Sequence, residues 1–398
     1  MTSDGPRILH VLEAVRGGTS RHVADVIRSS AGIDHHVVLP VNDRAARTSG
    51  AVADEASVAN MVDHGATLHR LDMRRSAVHP ANPIAATRLV ALVRRVHPGV
   101  VHGHSSVGGA LARLAGPPAR RPVVYTPNGL ATGAAAIHLE RLLGHATAAL
   151  VAVSDSEAAL ARHLRLVEPG RIRVIPNGIE LHPPVPTDVA DLRIRLGLAP
   201  GVPLIGTVAR LVDQKAPEDF VAVCAEVIRR RPDVHGVLIG MGPLQDNMDR
   251  AIAREGLAGR FHQIEYLPRA EAVLDQLDVF ALVSRFEGGP YAPLEAMRAG
   301  VPVVLSDVIG NRDVIEPGRS GMLCPFGDID GMARAIVELL EHDSRRVAMT
   351  EAASARLRQR FDLRCMGEAL TALYRALSGA GAGAGPTSNR VRRRPAAE

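Results

Sequence analysis

The chain is almost without lysine. Of its 47 basic residues only Lys215 is lysine, and all the others are arginine. Tryptophan is absent, aromatics make up 3% of the chain, and cysteine occurs three times, as Cys224, Cys324 and Cys365. Each shortage excludes something. Three scattered cysteines supply neither a disulfide framework nor the paired spacing of a zinc site, and they fit reduced thiols in a cytoplasmic protein. With no stacking rings interleaved among basic residues, a single-stranded nucleic-acid platform is excluded. No apolar run reaches the roughly eighteen residues of a membrane span. The opening Met1-Thr-Ser-Asp-Gly-Pro6 leads directly into a short apolar run, unlike a signal peptide.

The 398 residues exceed what one ordinary core accommodates, so two domains are expected. A hydrophobic content of 46% and a charged content of 22% fit a globular chain. The net charge of +5 is concentrated at the end: Arg390, Arg392, Arg393 and Arg394 against Glu398 carry +3, leaving +2 for the remainder. That balance does not suggest a nucleic-acid partner. The Gly-Ala repeat from Gly379 into the arginines reads as a disordered basic tail over 379–398. Contact with the inner face of a membrane is one use for it, and a solvated tail is the other.

Short apolar runs alternate with amphipathic stretches along the chain. The runs are Ile8–Leu12, Val37–Leu39, Val100–His102, Val123–Thr126, Leu150–Val153 and Arg173–Ile175, then Leu204–Val208, Val234–Ile239, Val279–Val283 and Val301–Leu305. This is a βαβ series, an α/β architecture with parallel sheets covered on both faces. Between the two series, Ile175-Pro-Asn-Gly-Ile-Glu-Leu-His-Pro-Pro-Val-Pro186 reads as a turn and an extended linker. The reading is two Rossmann-like domains, 1–180 and 181–362, with a hinge near 176–190 and a cleft where strand carboxyl ends face each other.

Five segments at strand ends carry candidate chemistry. Gly17-Gly18, before Thr19-Ser20, leaves backbone N–H groups at a helix start but lacks the spacing of a dinucleotide fingerprint. His102-Gly-His104 and Asn128, in Tyr125-Thr-Pro-Asn-Gly129, place polar side chains at strand ends. No third histidine or carboxylate is spaced to make the former a metal site, and a core histidine is the competing reading for His102. Arg210 and Lys215 resemble a clamp for a diphosphate, since lysine concentrates charge at a point and arginine spreads it. Gly240-Met-Gly242-Pro243 permits close backbone approach. The fifth segment, Glu287-Gly288-Gly289-Pro290-Tyr291-Ala292-Pro-Leu-Glu295, opens a helix with glycine amides available to an anion. Two carboxylates beside an anion site repel it. They make sense if each grips neutral hydroxyls on either side, which is the pattern of a sugar nucleotide: sugar, diphosphate, ribose.

At these residues the chain resembles the retaining glycosyltransferases of family 4, with the two-domain GT-B fold, from Ile8 to about residue 375. Glu287-x7-Glu295 matches the family's signature, Arg210 and Lys215 its basic pair, Gly240-x-Gly242-Pro243 its third element and Gly17-Gly18 its N-terminal loop. The segment around Ser306-Asp-Val-Ile-Gly310-Asn-Arg-Asp313 looks like the branch that builds exopolysaccharides and related glycans. The resemblance implies that Arg210 and Lys215 hold the diphosphate and Glu295 the ribose. It implies that Glu287 and the amides of Gly288 to Ala292, including Gly289 and Tyr291, meet the donor sugar and phosphate. Gly17, Gly18, Gly240 and Gly242 would approach the donor, and His104 and Asn128 would lie on the sugar or acceptor side. Asn128 departs from the histidine often found there, and asparagine cannot become cationic. A helix over 363–378 should cross back onto the N-terminal domain.

The expected activity is transfer of a sugar from a nucleotide-diphosphate sugar, UDP before GDP, to a glycan, lipid-linked or small natural-product acceptor, without a metal or other cofactor. A sugar-nucleotide epimerase on the same fold, a tandem-Rossmann oxidoreductase and a non-catalytic sugar-nucleotide-binding protein are the alternatives. The missing dinucleotide fingerprint speaks against the oxidoreductase, and the carboxylates together with the basic pair speak against a non-catalytic protein.

Overall fold

The computed structural model describes residues 5–15, 17–41, 55–76, 79–130, 133–183, 191–267 and 269–382. Two all-parallel sheets follow one another. The first contains β1 (Arg7–Leu12), β2 (Asp34–Pro40), β3 (Thr67–Leu71), β4 (Val100–His104), β5 (Val123–Thr126), β6 (Ala149–Ala152) and β7 (Ile172–Val174), in the order β3-β2-β1-β4-β5-β6-β7. Its helices are α1 (Gly17–Ser29), α2 (Glu55–Asp63), α3 (Ala81–Val96), α4 (Ser106–Ala115), α5 (Ala134–Gly144) and α6 (Asp155–His163). The second contains β8 (Leu204–Val208), β9 (His235–Ile239), β10 (Phe261–Ile264), β11 (Val279–Leu282), β12 (Val303–Asp307) and β13 (Met322–Pro325), in the order β10-β9-β8-β11-β12-β13. It carries α7 (Leu192–Arg195), α8 (Pro217–Arg230), α9 (Gln245–Arg254), α10 (Tyr291–Arg298), α11 (Asn311–Val314), α12 (Ile329–Glu341) and α13 (Asp343–Arg360).

The order of each sheet follows from helices that must cover both faces. From β1 the chain winds outward to β3, then returns to place β4 on the other side of β1. The second sheet does the same between β8 and β11. These reversals open crevices at the carboxyl ends of β1, β4, β8 and β11, where open α/β sheets take their ligands. Central strands are continuous apolar runs because both faces are packed: Ile8, Leu9, Val11 and Leu12 are fully buried in β1, as are Val279, Phe280 and Ala281 in β11. On α8, Phe220, Val221, Cys224 and Val227 recur at helical spacing and meet β8, β9 and β11 in one core cluster.

Three strands lie outside the runs expected from the sequence: β3, β10 and β13. All three are sheet edges. An edge strand needs only part of its surface apolar, and Thr67-Leu-His-Arg-Leu71 and Phe261-His-Gln-Ile264 accordingly carry polar side chains that are only half-buried or exposed. The helix α1 starts at Gly17 itself.

The last helix, α14 (Leu363–Ala382), crosses back as expected. Leu363, Met366, Leu370 and Tyr374 pack with Ile8, Val26, Val100, Val124 and Val151 of the first domain. Its crossing is anchored at the hinge, where Ile179 N donates to Phe361 O at 2.8 Å and Leu363 N to Ile179 O at 3.0 Å. The helix runs on to Ala382, so the beginning of the expected tail is helical. Residues 383–398, the remainder of that tail, and 184–190, within the expected linker, lie outside the described residues. All three cysteines are free, with Cys365 exposed. Among the described residues, no helix is long and apolar enough to cross a membrane.

The first sheet has a polar interior. His10 is in register with His102 across β1 and β4, and His104 follows two residues on, on the same face. His10 bonds His104 at 3.1 Å and His35 at 3.0 Å; His102 bonds the Tyr374 hydroxyl at 2.7 Å and Thr126 at 2.8 Å. His104 is therefore a fully buried core residue, not a side chain on the cleft. Only one of its ring nitrogens is bonded, to His10; Nδ1 is buried without a partner in the structure. His10 also supplies the third imidazole that the sequence spacing did not reveal: His10, His102 and His104 could converge on an ion, though hydrogen bonds already engage each ring. Burial pushes all of them, and His22 and His35, toward the neutral form, His22 and His35 to about 4. Glu157 on α6 is the converse. Fully buried, it accepts Val153 N and Gly129 N, each at 2.8 Å, and burial raises it to about 7.

Tyr374→Phe leaves a buried histidine nitrogen without its partner, which costs about 1–3 kcal/mol. The unfolding free energy should drop by that amount, read as a lower urea midpoint at constant slope, and an unchanged midpoint would contradict the docking of α14 on His102. A second prediction concerns pH. Each buried histidine has a folded pKa below its unfolded value near 6.5, so its contribution is complete above that pH. It is lost as pH falls toward 4, at up to about 1.4 kcal/mol per pH unit and histidine. Glu157 has the opposite sign, since the native state holds its proton between about 4.5 and 7. Urea unfolding at several pH values should show stability falling below pH 6.5, more steeply in Glu157→Gln. A profile flat from pH 7 to pH 5 would contradict the buried neutral cluster.

Candidate functional site

The loops leaving the two reversal points face each other. A Cβ built on Gly17, at φ +67°, would lie 3.9 Å from Arg210 Nε, and one on Gly18 would lie 4.0 Å from the Tyr291 ring. The Gly-Gly turn after β1 thus sits against both the basic segment after β8 and the start of α10.

In the second domain, β8 ends at Val208 and the chain runs beside the end of β9. Ala209 N donates to Ile239 O and Leu211 N to Met241 O, each at 3.1 Å. This closeness explains Gly240 and Gly242. A Cβ on Gly240 would meet Ala209 O at 1.9 Å, and one on Gly242 would meet Leu211 O at 2.4 Å. Both glycines let the chain pack behind the segment that carries Arg210, which is exposed. Lys215 ends a short 3-10 turn over Asp213–Lys215. Ala216 then takes φ +44°, a left-handed conformation unusual for alanine, and Pro217 begins α8.

The Lys215 side chain is largely buried. Its Nζ lies 2.5 Å from Glu287 Oε1. Glu287 is buried, and its amide donates to Ile309 O at 3.1 Å. Gln214 Nε2 donates to Phe286 O at 3.0 Å, and Arg285 N to Gln214 O at 2.8 Å, which ties the β8 and β11 loops together. The lysine and the glutamate that the sequence separates by 72 residues therefore form one charge pair.

The segment from Gly288 to Pro290 is pressed against the first domain. A Cβ on Gly288 would fall 2.7 Å from Gly129 N and 2.8 Å from the Asn128 carbonyl carbon; one on Gly289 would fall 3.1 Å from Asn177 Nδ2. Asn177 Nδ2 donates to Gly289 O at 2.7 Å, and Asn177 Oδ1 lies 2.9 Å from His22 Nδ1. These two glycines, read from the sequence as amides for an anion, have a further reason to lack side chains, namely this contact between domains. Asn128 stands at φ +55°, held in place through the Gly129–Glu157 hydrogen bond, with its Nδ2 buried and without a partner in the structure.

The helix α10 begins at Tyr291 after Pro290, with no side chain capping its first amides. Tyr291 is buried and Ala292 half-buried. Glu295, one turn in, is buried too, and burial raises its pKa against the pull of Arg21. Arg21 reaches it from α1, with NH1 bonded to Glu295 Oε1 and the guanidinium 4.5 Å above the Tyr291 ring. Each of the two signature carboxylates is thus matched by a cation, one from its own domain and one from the other. A diphosphate between them would meet Arg210, Lys215 and the uncapped start of α10, with the Gly17-Gly18 turn opposite.

The sequence reading missed Arg21, His22 and Asn177. Asn177 lay in a segment read as a turn, and the partner of Arg21 lies 274 residues away, so neither carried a local signal. It also gave no role to Glu13. This buried carboxylate accepts Val107 N and, at 3.2 Å, Gly108 N, so it occupies the start of α4.

Two family descriptions match the chain, one to each half: Glycosyltransferase Family 4 over residues 16–182 and Glycosyl transferases group 1 over residues 188–356. A UDP-Gal:alpha-D-GlcNAc-diphosphoundecaprenol alpha-1,3-galactosyltransferase of Escherichia coli is 30% identical over 64% of this chain and 69% of its own length. A GDP-mannose-dependent monoacylated alpha-(1-6)-phosphatidylinositol monomannoside mannosyltransferase of Corynebacterium glutamicum is 28% identical over 50% of this chain and 54% of its own. The chain thus spans between about half and two thirds of the length of these two relatives. Among solved structures, Anabaena Alr3699/HepE in complex with UDP and glucose superposes with a TM-score of 0.78 at 20% identity, over 92% of this chain and 99% of that one. This likeness shows the fold, GT-B, with two facing Rossmann-like domains. Matched in both halves and related to a known galactosyltransferase over most of that enzyme's length, the chain belongs to the family 4 glycosyltransferases.

Proposed function

We propose that the protein is a retaining glycosyltransferase that moves a sugar from a UDP-sugar to a glycan, lipid-linked or small natural-product acceptor, with no metal or other cofactor. The pairing of Lys215 with a buried Glu287, beside the uncapped start of α10, is the observation that carries this reading. In this reading residues 1–180 form the acceptor side and residues 181–362 hold the donor. Arg210 and Lys215 take the diphosphate, and Glu295 takes the ribose. Glu287 takes the donor sugar, with Asn128 opposite as a hydrogen-bonding partner. UDP is favoured over GDP because the E. coli relative is named for a UDP-sugar and the HepE structure holds UDP, while the Corynebacterium relative is named for GDP-mannose.

The chemistry follows from charge. As the glycosidic C–O bond breaks, the β-phosphate gains negative charge that water would otherwise solvate. A fixed ammonium and guanidinium at that position stabilise it without reorganisation, and they replace what a metal would supply. This reading gives Glu287 to the donor sugar and pairs it with no second carboxylate as acid, so it includes no double displacement of the glycosidase kind. Same-face attack by the acceptor through an oxocarbenium-like state retains configuration and asks of the protein mainly positioning.

UDP release from a panel of UDP-sugars, with and without acceptors, is the assay. Lys215→Ala should lower kcat by about 100- to 1000-fold, and Glu295→Ala should weaken UDP binding by about tenfold or more. NMR of the product should give the donor's anomeric configuration, and added EDTA should leave the rate unchanged. Full UDP release by both variants would contradict the site. Recovery of an epimerised sugar nucleotide without UDP release would instead favour the epimerase.

A further inference from the structure

Glu295 lies in the second domain, yet the cation that touches it comes from the first. Arg21 is on the first turns of α1, directly after the Gly17-Gly18 turn, and its partner lies 274 residues further along the chain. The arginine is itself held. Its Nε lies 3.4 Å from Asp25 Oδ2, and its plane covers the Tyr291 ring at 4.5 Å. Asp25 is also engaged by Arg28, at 3.1 Å, and Arg28 bonds Glu180 in the hinge. The residues Arg21, Asp25 and Arg28 share one face of α1 and make an ionic strip along the domain boundary. One residue after Arg21, His22 reaches Asn177 and through it Gly289 O, in the loop that leads into α10 and Glu295. Neighbouring residues of one helix thus fix both the loop before α10 and the carboxylate on it.

We propose that Arg21 is a positioning residue of the donor site: it reaches across the cleft to hold the Glu295 carboxylate charged and aimed, so that the ribose-binding group is complete only when the two domains are closed. This rests on the reading of Glu295 as the ribose-binding residue. Arg21 bonds Oε1, which leaves Oε2 to accept from ribose hydroxyls. Every charged neighbour of Glu295 enters the balance. Arg298 on its own helix supports the carboxylate, and Glu271, from the 3-10 segment Ala270–Gln276, opposes it. Asp25 on α1 is engaged by Arg21 and Arg28; Tyr291 stays neutral through burial. Arg298 also donates to Glu180 O at 3.0 Å, so it is partly committed to the hinge. With Arg21 removed, burial and Glu271 act against Arg298 alone, and the carboxyl takes up a proton at a higher pH. A protonated carboxyl has lost the charge that makes it a strong acceptor for two hydroxyls.

The test is calorimetric titration of the full chain with UDP between about pH 6 and about pH 8.5, for wild type, Arg21→Met, Arg21→Gln and Arg21→Lys. The titration of the UDP phosphate is common to all and cancels in the ratio of Kd values. Relative to wild type, Arg21→Met and Arg21→Gln should bind UDP progressively more weakly as pH falls, with the ratio growing by about tenfold across that range. Arg21→Lys, which keeps the charge, should hold a constant ratio. Adding Arg21→Met to Glu295→Gln should cost little further affinity, because the carboxylate it serves is gone. A pH-independent ratio in both neutral variants, or additive losses in the double variant, would overturn the proposal while leaving the donor site standing. Wild type that binds neither UDP nor GDP at any pH would overturn the donor reading and this proposal with it.

Discussion

A carboxylate taken out of water stays charged only if a cation comes to it, and the cleft is organised around two such carboxylates. Glu287 and Glu295 are both buried, at the loop before α10 and one turn into it. Lys215 meets the first and Arg21 the second. Much of the remaining architecture brings those cations into place. Gly240 and Gly242 let the segment carrying Arg210 lie close against the end of β9, and Ala216 accepts a left-handed conformation between Lys215 and α8. Gly288 and Gly289 allow the first domain to come close enough for α1 to reach α10. Charge pairs of this kind add little to stability, since desolvation offsets attraction. In the proposed reaction their value would lie in fixed charges that need not reorganise when a diphosphate gains charge.

The first domain contributes rigidity of a different sort. Its central strands carry imidazoles where a parallel sheet would ordinarily carry aliphatic side chains, and these bond one another, Thr126 and Tyr374, while His104 Nδ1 and His35 Nε2 are buried without a partner in the structure. The Tyr374 contact fastens α14, which starts from the hinge, to the middle of the sheet. Neutral imidazoles linked in this way define one arrangement of β1, β4 and α14 more sharply than aliphatic packing would. The same layer leads outward through His22 to Asn177 and Gly289, so the loop before α10 is tied to the first domain.

What could be read in the sequence were features that repeat or cluster locally. Both sheets were legible because their central strands are unbroken apolar runs, and the Glu287–Glu295 segment because carboxylates and glycines open a helix directly after such a run. The edge strands β3, β10 and β13 were not, since an edge needs few apolar residues. His104 was misplaced toward the cleft because strand alternation tells which residues share a face, not what covers that face. His10 escaped notice as its neighbour for a related reason: the register that sets it beside His102 belongs to strand pairing, which no local spacing encodes. Arg21 and Asn177 were invisible for the strongest reason. Their partners lie 274 and 112 residues away, in the other domain, and only closure brings them together.

The central claim is that a nucleoside diphosphate is gripped between the two domains at these charges. A crystal structure of the protein with UDP tests it most directly. The account predicts the diphosphate on Arg210, Lys215 and the first amides of α10, opposite Gly17 and Gly18, with the ribose hydroxyls on Glu295 and Arg21 still in contact with that carboxylate. Nucleotide bound away from Lys215 and Glu295, or ribose seated only after Arg21 has left Glu295, would contradict it.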